Sequence, residues 1–461
     1  METVSHKMAE FAVHLKFSDL SKEVVDTAKR FLFDTIGCSF GGYRVEDAKI
    51  ALDVLREMGG NPEATVIGSG EKTSAVNASL ANSIMVRAMD YNDIYWKQDP
   101  SHPSDLIPAV LATAEKYDKS GQDVIVGIVL AYEFEMRLCE FAIPGIRERK
   151  WHHATLTQFA SPIAAGKMMG LTVNQMANAI GISGSHNFTP GAVTAGKLTM
   201  MKNTVDPMAV QSGVLAAELA RKGYQGPEAI FEGKEGFVDT FGGEFDLDVL
   251  TQDLGKSFRI LNCSMKAFPT EALTHSPITA ALDLVHQHNL KPERVARVVV
   301  HTIERARDIL ADPSKYNPTT KETADHSLPY VIAAAIVDGK ITPEEFEFQK
   351  LNDPRIRALL PKIEVVADSE LEAVFPELKA SIVEIETTDG RKLKRRVDYP
   401  KGDYRAPMTP DELTVKFSSL ANPIFSPHKQ RTISDAIWHL DEFANAREFM
   451  GLLIADKVSE S

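Results

Sequence analysis

Residues 20–42, LSKEVVDTAKRFLFDTIGCSFGG, repeat apolar side chains at three- and four-residue spacing and stop at a glycine pair. That period belongs to a helix with one buried stripe. The pattern recurs at 104–121 (SDLIPAVLATAEKYDKSG), 121–140 (GQDVIVGIVLAYEFEMRLCE) and 155–171 (TLTQFASPIAAGKMMGL), each opened by a polar cap or closed by glycine. The alanines and glycines of 206–223, DPMAVQSGVLAAELARKG, suit close contact between helices. From residue 8 to about 255 the chain therefore reads as a large all-helical bundle.

Beyond 264–272, SMKAFPTEA, the texture changes. RVARVVVHTI, IEVVADSE, ASIVEIETTDG and KLKRRVDY are β-branched or alternating, and Asp389-Gly390 between the last two marks a hairpin turn. HSLPYVIAAAIVDGK places a helix among these strands, so this part reads as α+β. Helical pattern returns after about residue 400. The expected fold is mainly α: a large helical domain formed by both chain ends, residues 1–265 and 401–461, interrupted by a smaller α+β domain at 266–400.

The composition of the 461 residues, 44% hydrophobic and 25% charged, is that of a globular chain, and no run of eighteen apolar residues suggests a membrane span. The N-terminal METVSHKMAEFAVHLKF has neither an apolar signal core nor an Arg-rich presequence character, so a cytoplasmic address is expected. A formal net charge of -13 argues against nucleic acid or an anionic membrane as partner. Cys38, Cys139 and Cys263 stand about a hundred residues apart with no CxxC pair, against a disulfide framework, a zinc ribbon or a cysteine-ligated iron–sulfur cluster. They read as core residues.

Four clusters could carry chemistry. In 90–105, DYNDIYWKQDPSHPSD, His102 precedes a helix start with Ser104 as candidate cap and Pro108 in the first turn, after Asp90, Asp93 and Asp99. The positive helix end would leave His102 a neutral base, whereas the alternative is an exposed acidic loop. In RKWHHATLTQF, His152 and His153 open an apolar helix; on a helix, neighbours point apart, and without HxxxH or HExxH spacing they do not form a zinc motif. KLTMMKNTVDP offers Lys197 and Lys202 after the flexible GISGSHNFTPGA, with solvated lysines as the plainer reading. SMKAFPTEALTH holds Lys266 and His275 at the expected domain boundary, where ligand clefts are common.

These clusters, in this order, resemble the MmgE/PrpD family of 2-methylcitrate dehydratase, cis-aconitate decarboxylase and iminodisuccinate epimerase. DYNDIYW followed by HPSD is similar to the family's Asp-aromatic-Asn-Asp-Thr stretch and its His-Pro-Ser, and GYQGPEAIFEGKEGF, DHSLPYVIAAAIVDGK and YPKGDYRAPMTPDELTVKF are similar to further family tracts. The resemblance implies a helical domain with a central α+β lid, a homodimer, and catalysis without metal or organic cofactor. It implies that His102 and His153 are the catalytic histidines, His153 standing seventeen residues before Gly170. Asp90 matches the acidic active-site position, and Lys202 and Lys266 match the lysines that hold substrate carboxylates; Asp93 and His275 join them as expected substrate-binding residues. Ile94 stands where many members have threonine, which removes one hydrogen bond to substrate.

The reactions of this family share proton transfer at a carbon next to a carboxylate in a small polycarboxylic acid. Such a weak carbon acid requires cationic donors for the developing oxyanion, the role expected of Lys202 and Lys266. It also requires a base and an acid near neutral pKa, which two histidines can divide, with Asp90 expected to orient one of them. Dehydration of a 2-methylcitrate-like hydroxy tricarboxylate is the first expectation. Decarboxylation of cis-aconitate, epimerisation or isomerisation of a succinate derivative, and a non-catalytic binding protein of the same fold are the alternatives.

Overall fold

A computed structural model describes residues 2–195 and 198–455; Lys197 lies outside the described residues. The chain forms two compact units, one running up to Cys263 and resuming at Pro410, the other Ser264–Thr409. The divisions thus fall after 263 and 409, against expected boundaries after 265 and 400. Residues 401–409 go with the inserted unit because Gly402 and Met265 share tight backbone pairing. The Met265 N–H donates to the Gly402 carbonyl at 2.9 Å, and a Cβ on Gly402, whose φ is +92°, would meet the Met265 oxygen at 2.0 Å.

The first unit is built on α1 (Val4–His14), α2 (Lys22–Gly42), α3 (Glu46–Met58), α4 (Ala75–Arg87), α5 (Ile107–Lys116), α6 (Gly121–Leu138), α7 (Ala154–Met169), α8 (Val173–Ser183) and α9 (Val205–Arg221). Ser21, Ser74, Ser120 and Thr172 cap α2, α4, α6 and α8 by accepting backbone N–H groups through their hydroxyls. Helices α5, α6 and α7 are buried almost all round, which is why their apolar residues run on with little polar interruption.

Small residues set the helix spacing. Gly213 of α9 lies against Ser161 and Pro162 of α7, with its virtual Cβ 2.8 Å from the Pro162 nitrogen, and the Ser161 hydroxyl donates to the Val210 carbonyl at 2.7 Å. Pro162 inside α7 has no N–H to give the Gln158 carbonyl, and the Ser183 hydroxyl donates to that carbonyl at 2.7 Å instead. Gly42 likewise lets the end of α2 touch the Met85 carbonyl of α4. The returning helix Pro410–Ala421 covers α2, with Phe417 stacked on Phe33 at 4.3 Å and Lys416 paired with buried Asp34 at 2.6 Å.

In the second unit, β1 (Val295–Thr302), β2 (Ile363–Ala367), β3 (Ser381–Thr387) and β4 (Lys392–Val397) form one sheet in the order β4-β3-β1-β2. β1 runs parallel to β2 and antiparallel to β3, with Val300 opposite both Val365 and Val383. β3 and β4 are a hairpin whose turn has Gly390 at φ +84°. The helix His275–His288 packs on β3 and β4. His275 is the first residue of that helix, its Nε2 3.4 Å from the Thr270 carbonyl oxygen, and Lys266 lies in the chain leading to it. Among the described residues no helix is long and apolar enough to cross a membrane.

Candidate functional site

The stretch 90–105 is not an exposed acidic loop. Asp90, Asn92, Asp93, Asp99, His102 and Asp105 are all buried in the first unit. Burying so many carboxyls requires donors for each, and they are present. α4 ends at Arg87, and Asp90 turns the chain at φ +51°, a left-handed conformation that Asp tolerates better than most residues. Its carboxylate pairs with Arg87 and with Lys202, the latter at 2.9 Å. Asp99 accepts from the backbone N–H groups of Ile146 and Arg147, and Asp105 from Asn92 Nδ2 at 2.9 Å.

Two expectations change here. Ser104 does not cap a helix through its hydroxyl. Asp93 holds the start of the 3-10 turn Pro103–Leu106 instead, accepting from the Ser104 N–H at 3.1 Å and the Ser104 hydroxyl at 2.6 Å. Burial pushes the Asp93 carboxyl up to about 6, against the pull of those same donors. The carboxylate expected to bind substrate is thus engaged in shaping the loop. Asp90, in turn, meets two cations, Arg87 and Lys202, and so positions the Lys202 ammonium. Ile94 is half-buried, and its carbonyl faces the Cys263 thiol at 3.6 Å.

His102 sits at the head of the 3-10 turn with Nδ1 2.6 Å from the Asp93 carbonyl oxygen. A carbonyl only accepts, so Nδ1 carries the proton and the neutral ring presents a lone pair at Nε2. His153 faces it from the head of α7, with ring centroids 5.7 Å apart. His153 Nε2 lies 3.3 Å from Asp206 Oδ1, in the first turn of α9, an ion contact that lacks hydrogen-bond alignment. Burial by itself would raise the Asp206 carboxyl, but His153 and Arg87 beside it hold it below the usual carboxylate range. Lys202 follows on the 3-10 turn Met200–Asn203, which docks on the end of α4 through Asn203 Nδ2 and the Ala88 carbonyl at 3.2 Å. The structure therefore brings Asp90, Asp93, His102, His153 and Lys202 together, while Lys266 and His275 belong to the second unit.

Sequence reasoning passed over Arg87, Asp105, Glu135 and Asp206, and took His153 in preference to His152. For Glu135 a signal existed, because a glutamate embedded in the apolar run of α6 requires a reason. Its Oε1 accepts from the Ser101 hydroxyl and, at 2.7 Å, from the Thr157 hydroxyl. Ser101 precedes His102, and Thr157 lies one turn beyond His153, so one buried carboxyl ties down both histidine-bearing segments. Burial raises Glu135 to about 7. A raised carboxyl stabilises the fold fully below its unfolded value near 4.5, and that contribution is lost as pH rises through about 7. Glu135→Gln, which cannot ionise, is therefore expected to gain on the wild type across that window by at most ~1.4 kcal/mol per pH unit, read as a flatter pH dependence of the urea unfolding midpoint.

His152 and His153 do not diverge as on a helix, because they precede α7. The His152 N–H donates to the Thr189 carbonyl at 2.8 Å, and the two rings stack with centroids 3.9 Å apart. Ligand atoms of His152, His153 and Asp206 all lie within 4.8 Å of one another, a grouping that could in principle hold a divalent ion. His152 Nδ1, however, accepts the Ala154 N–H at 3.2 Å, so the neutral ring carries its proton on Nε2 and offers a metal no lone pair there. The arrangement suits hydrogen bonding and proton transfer better than metal binding.

Comparison with known proteins identifies the family. Residues 6–250 match the MmgE/PrpD N-terminal domain and residues 268–442 the MmgE/PrpD C-terminal domain. The chain is 27% identical to the cis-aconitate decarboxylase of Homo sapiens, over 96% of this chain and 93% of that protein. It is likewise 27% identical to the cis-aconitate decarboxylase-like protein oryM of Aspergillus oryzae, over 98% and 97%. To the 2-methylcitrate dehydratase of Salmonella typhi it is 26% identical, over 85% and 84%. With both domain models matched in order over most of its length, the chain belongs to the MmgE/PrpD family.

Proposed function

We propose that the protein is a lyase that needs no cofactor and moves a proton at a carbon next to a carboxylate of a small polycarboxylic acid, dehydrating a 2-methylcitrate-like hydroxy tricarboxylate. The observation that carries the proposal is the convergence of His102 and His153, buried and 5.7 Å apart, each with a different partner. His102, whose Nδ1 proton the Asp93 carbonyl holds, is the base. His153, beside the Asp206 carboxylate at 3.3 Å, is the acid that protonates the departing hydroxyl. Lys202, held by Asp90, and Lys266 bind carboxylate oxygens and stabilise the charge that builds on them. His275 assists in carboxylate binding.

Dehydration is favoured by a particular atom. Asp206 Oδ2 is buried with no hydrogen-bond donor among the described residues. A substrate hydroxyl would fill that position, whereas cis-aconitate has no hydroxyl to offer. Decarboxylation of cis-aconitate is the second reading, supported by the decarboxylase relatives matching over more of both chains than the dehydratases. One panel separates them: 2-methylcitrate, citrate, cis-aconitate and iminodisuccinate, followed by alkene absorbance, carbon dioxide release and loss of optical activity. Alkene formation from 2-methylcitrate is the expected result; carbon dioxide from cis-aconitate alone would establish the second reading, and activity on none of the four would reject both.

A further inference from the structure

We infer that His152 is itself a substrate-contacting residue, its Nε2–H a fixed hydrogen-bond donor for a carboxylate oxygen of the ligand bound beside His153. The inference rests on the polycarboxylate reading of the site. It begins with the tautomer: Ala154 donates its backbone N–H to His152 Nδ1, so the proton of the neutral ring is on Nε2. Burial, with His153 next, holds the ring well below the usual imidazole range, so it stays neutral. Nε2 is buried and has no acceptor among the described residues. A buried N–H without an acceptor is costly, and few are retained in folded proteins unless something meets them.

The position of the ring says what meets it. It is pinned by the backbone bond to Thr189, by the Ala154 contact and by the stack on His153, so Nε2 cannot swing away to find a partner. Its neighbours in the cluster are His153 and Asp206. The unpartnered Asp206 Oδ2 could serve as acceptor, yet the two atoms make no hydrogen bond. An acceptor supplied by the ligand is the remaining match, and a carboxylate oxygen is the acceptor such ligands carry beside the reacting carbon. A neutral donor also fits this location better than a third cation, since the charges of Arg147 and Arg87 already act on the ring.

The test is equilibrium binding of propane-1,2,3-tricarboxylate, an unreactive mimic, measured by calorimetry on the wild type, His152→Phe and His152→Gln. Phenylalanine keeps an aromatic ring for the stack and removes the donor; glutamine keeps an N–H donor. The expected result is a Kd raised roughly tenfold or more by phenylalanine and partly restored by glutamine, with an unchanged unfolding midpoint. A Kd within about twofold of wild type for His152→Phe would overturn the donor role alone. So would a fall in kcat at unchanged Kd, which places His152 on Asp206. No binding to the wild type would overturn the polycarboxylate reading and the donor with it.

Discussion

Replacing either His102 or His153 by alanine is expected to lower turnover of the true substrate by roughly 10²–10⁴-fold, the usual contribution of a positioned acid or base. The two losses should not multiply in the double variant. The rings lie 5.7 Å apart and act on one substrate, and residues that work as a unit are strongly non-additive. His102→Ala removes the base whose Nδ1 the Asp93 carbonyl holds and His153→Ala the acid beside Asp206, so each should lower kcat by more than it raises KM. Steady-state kinetics with circular dichroism as a control on folding is the measurement. Full activity in both single variants would remove these histidines from the mechanism.

Arg87→Met is expected to destabilise the protein by roughly 3–5 kcal/mol in urea unfolding at neutral pH. Arg87 is 2% exposed, pairs with Asp90, and stands 3.7 Å from Asp105 through Nε. Methionine fills much of the same volume but leaves Asp105 buried without its Arg87 cation and Asp90 with Lys202 in place of two cations. Both can relieve the charge by taking up a proton, and Asp105 is already raised well above the usual carboxylate range by burial. The loss should therefore shrink as the pH is lowered toward the carboxylate range, where neutral carboxyls need no cation. A loss below about 1 kcal/mol at neutral pH would mean that the carboxyls are protonated in the folded wild type. Arg87→Lys should recover only part of the stability, because an ammonium cannot span two carboxylates as a planar guanidinium does.

Much of the site was legible because its residues stand out locally. His102, His153, Asp90 and Lys202 each occur in a stretch too polar for a core, and the family resemblance ordered them. Arg87, Asp105 and Asp206 escaped notice for the opposite reason. They sit at ordinary helix ends, where a charged residue is expected, and nothing near them in the chain indicates burial. The exposed-loop alternative for 90–105 failed on the same point, since the donors that make its burial tolerable come from Arg87, Ile146, Arg147 and Lys202, as far as a hundred residues away.

Periodicity was sufficient for the helices of the first unit and for the sheet of the second, because a buried stripe of period 3.6 or 2 is a local property of the chain. The turn at Asp389-Gly390 and the small residues of α9 were equally local. What only the tertiary structure decided were partners and protons: that Asp90 holds Lys202, that Asp93 caps a turn, and that His152 and His153 stack. Each depends on which donor or acceptor lies within 3 to 4 Å. That distance is set by packing between elements far apart in sequence, and a linear pattern carries no record of it.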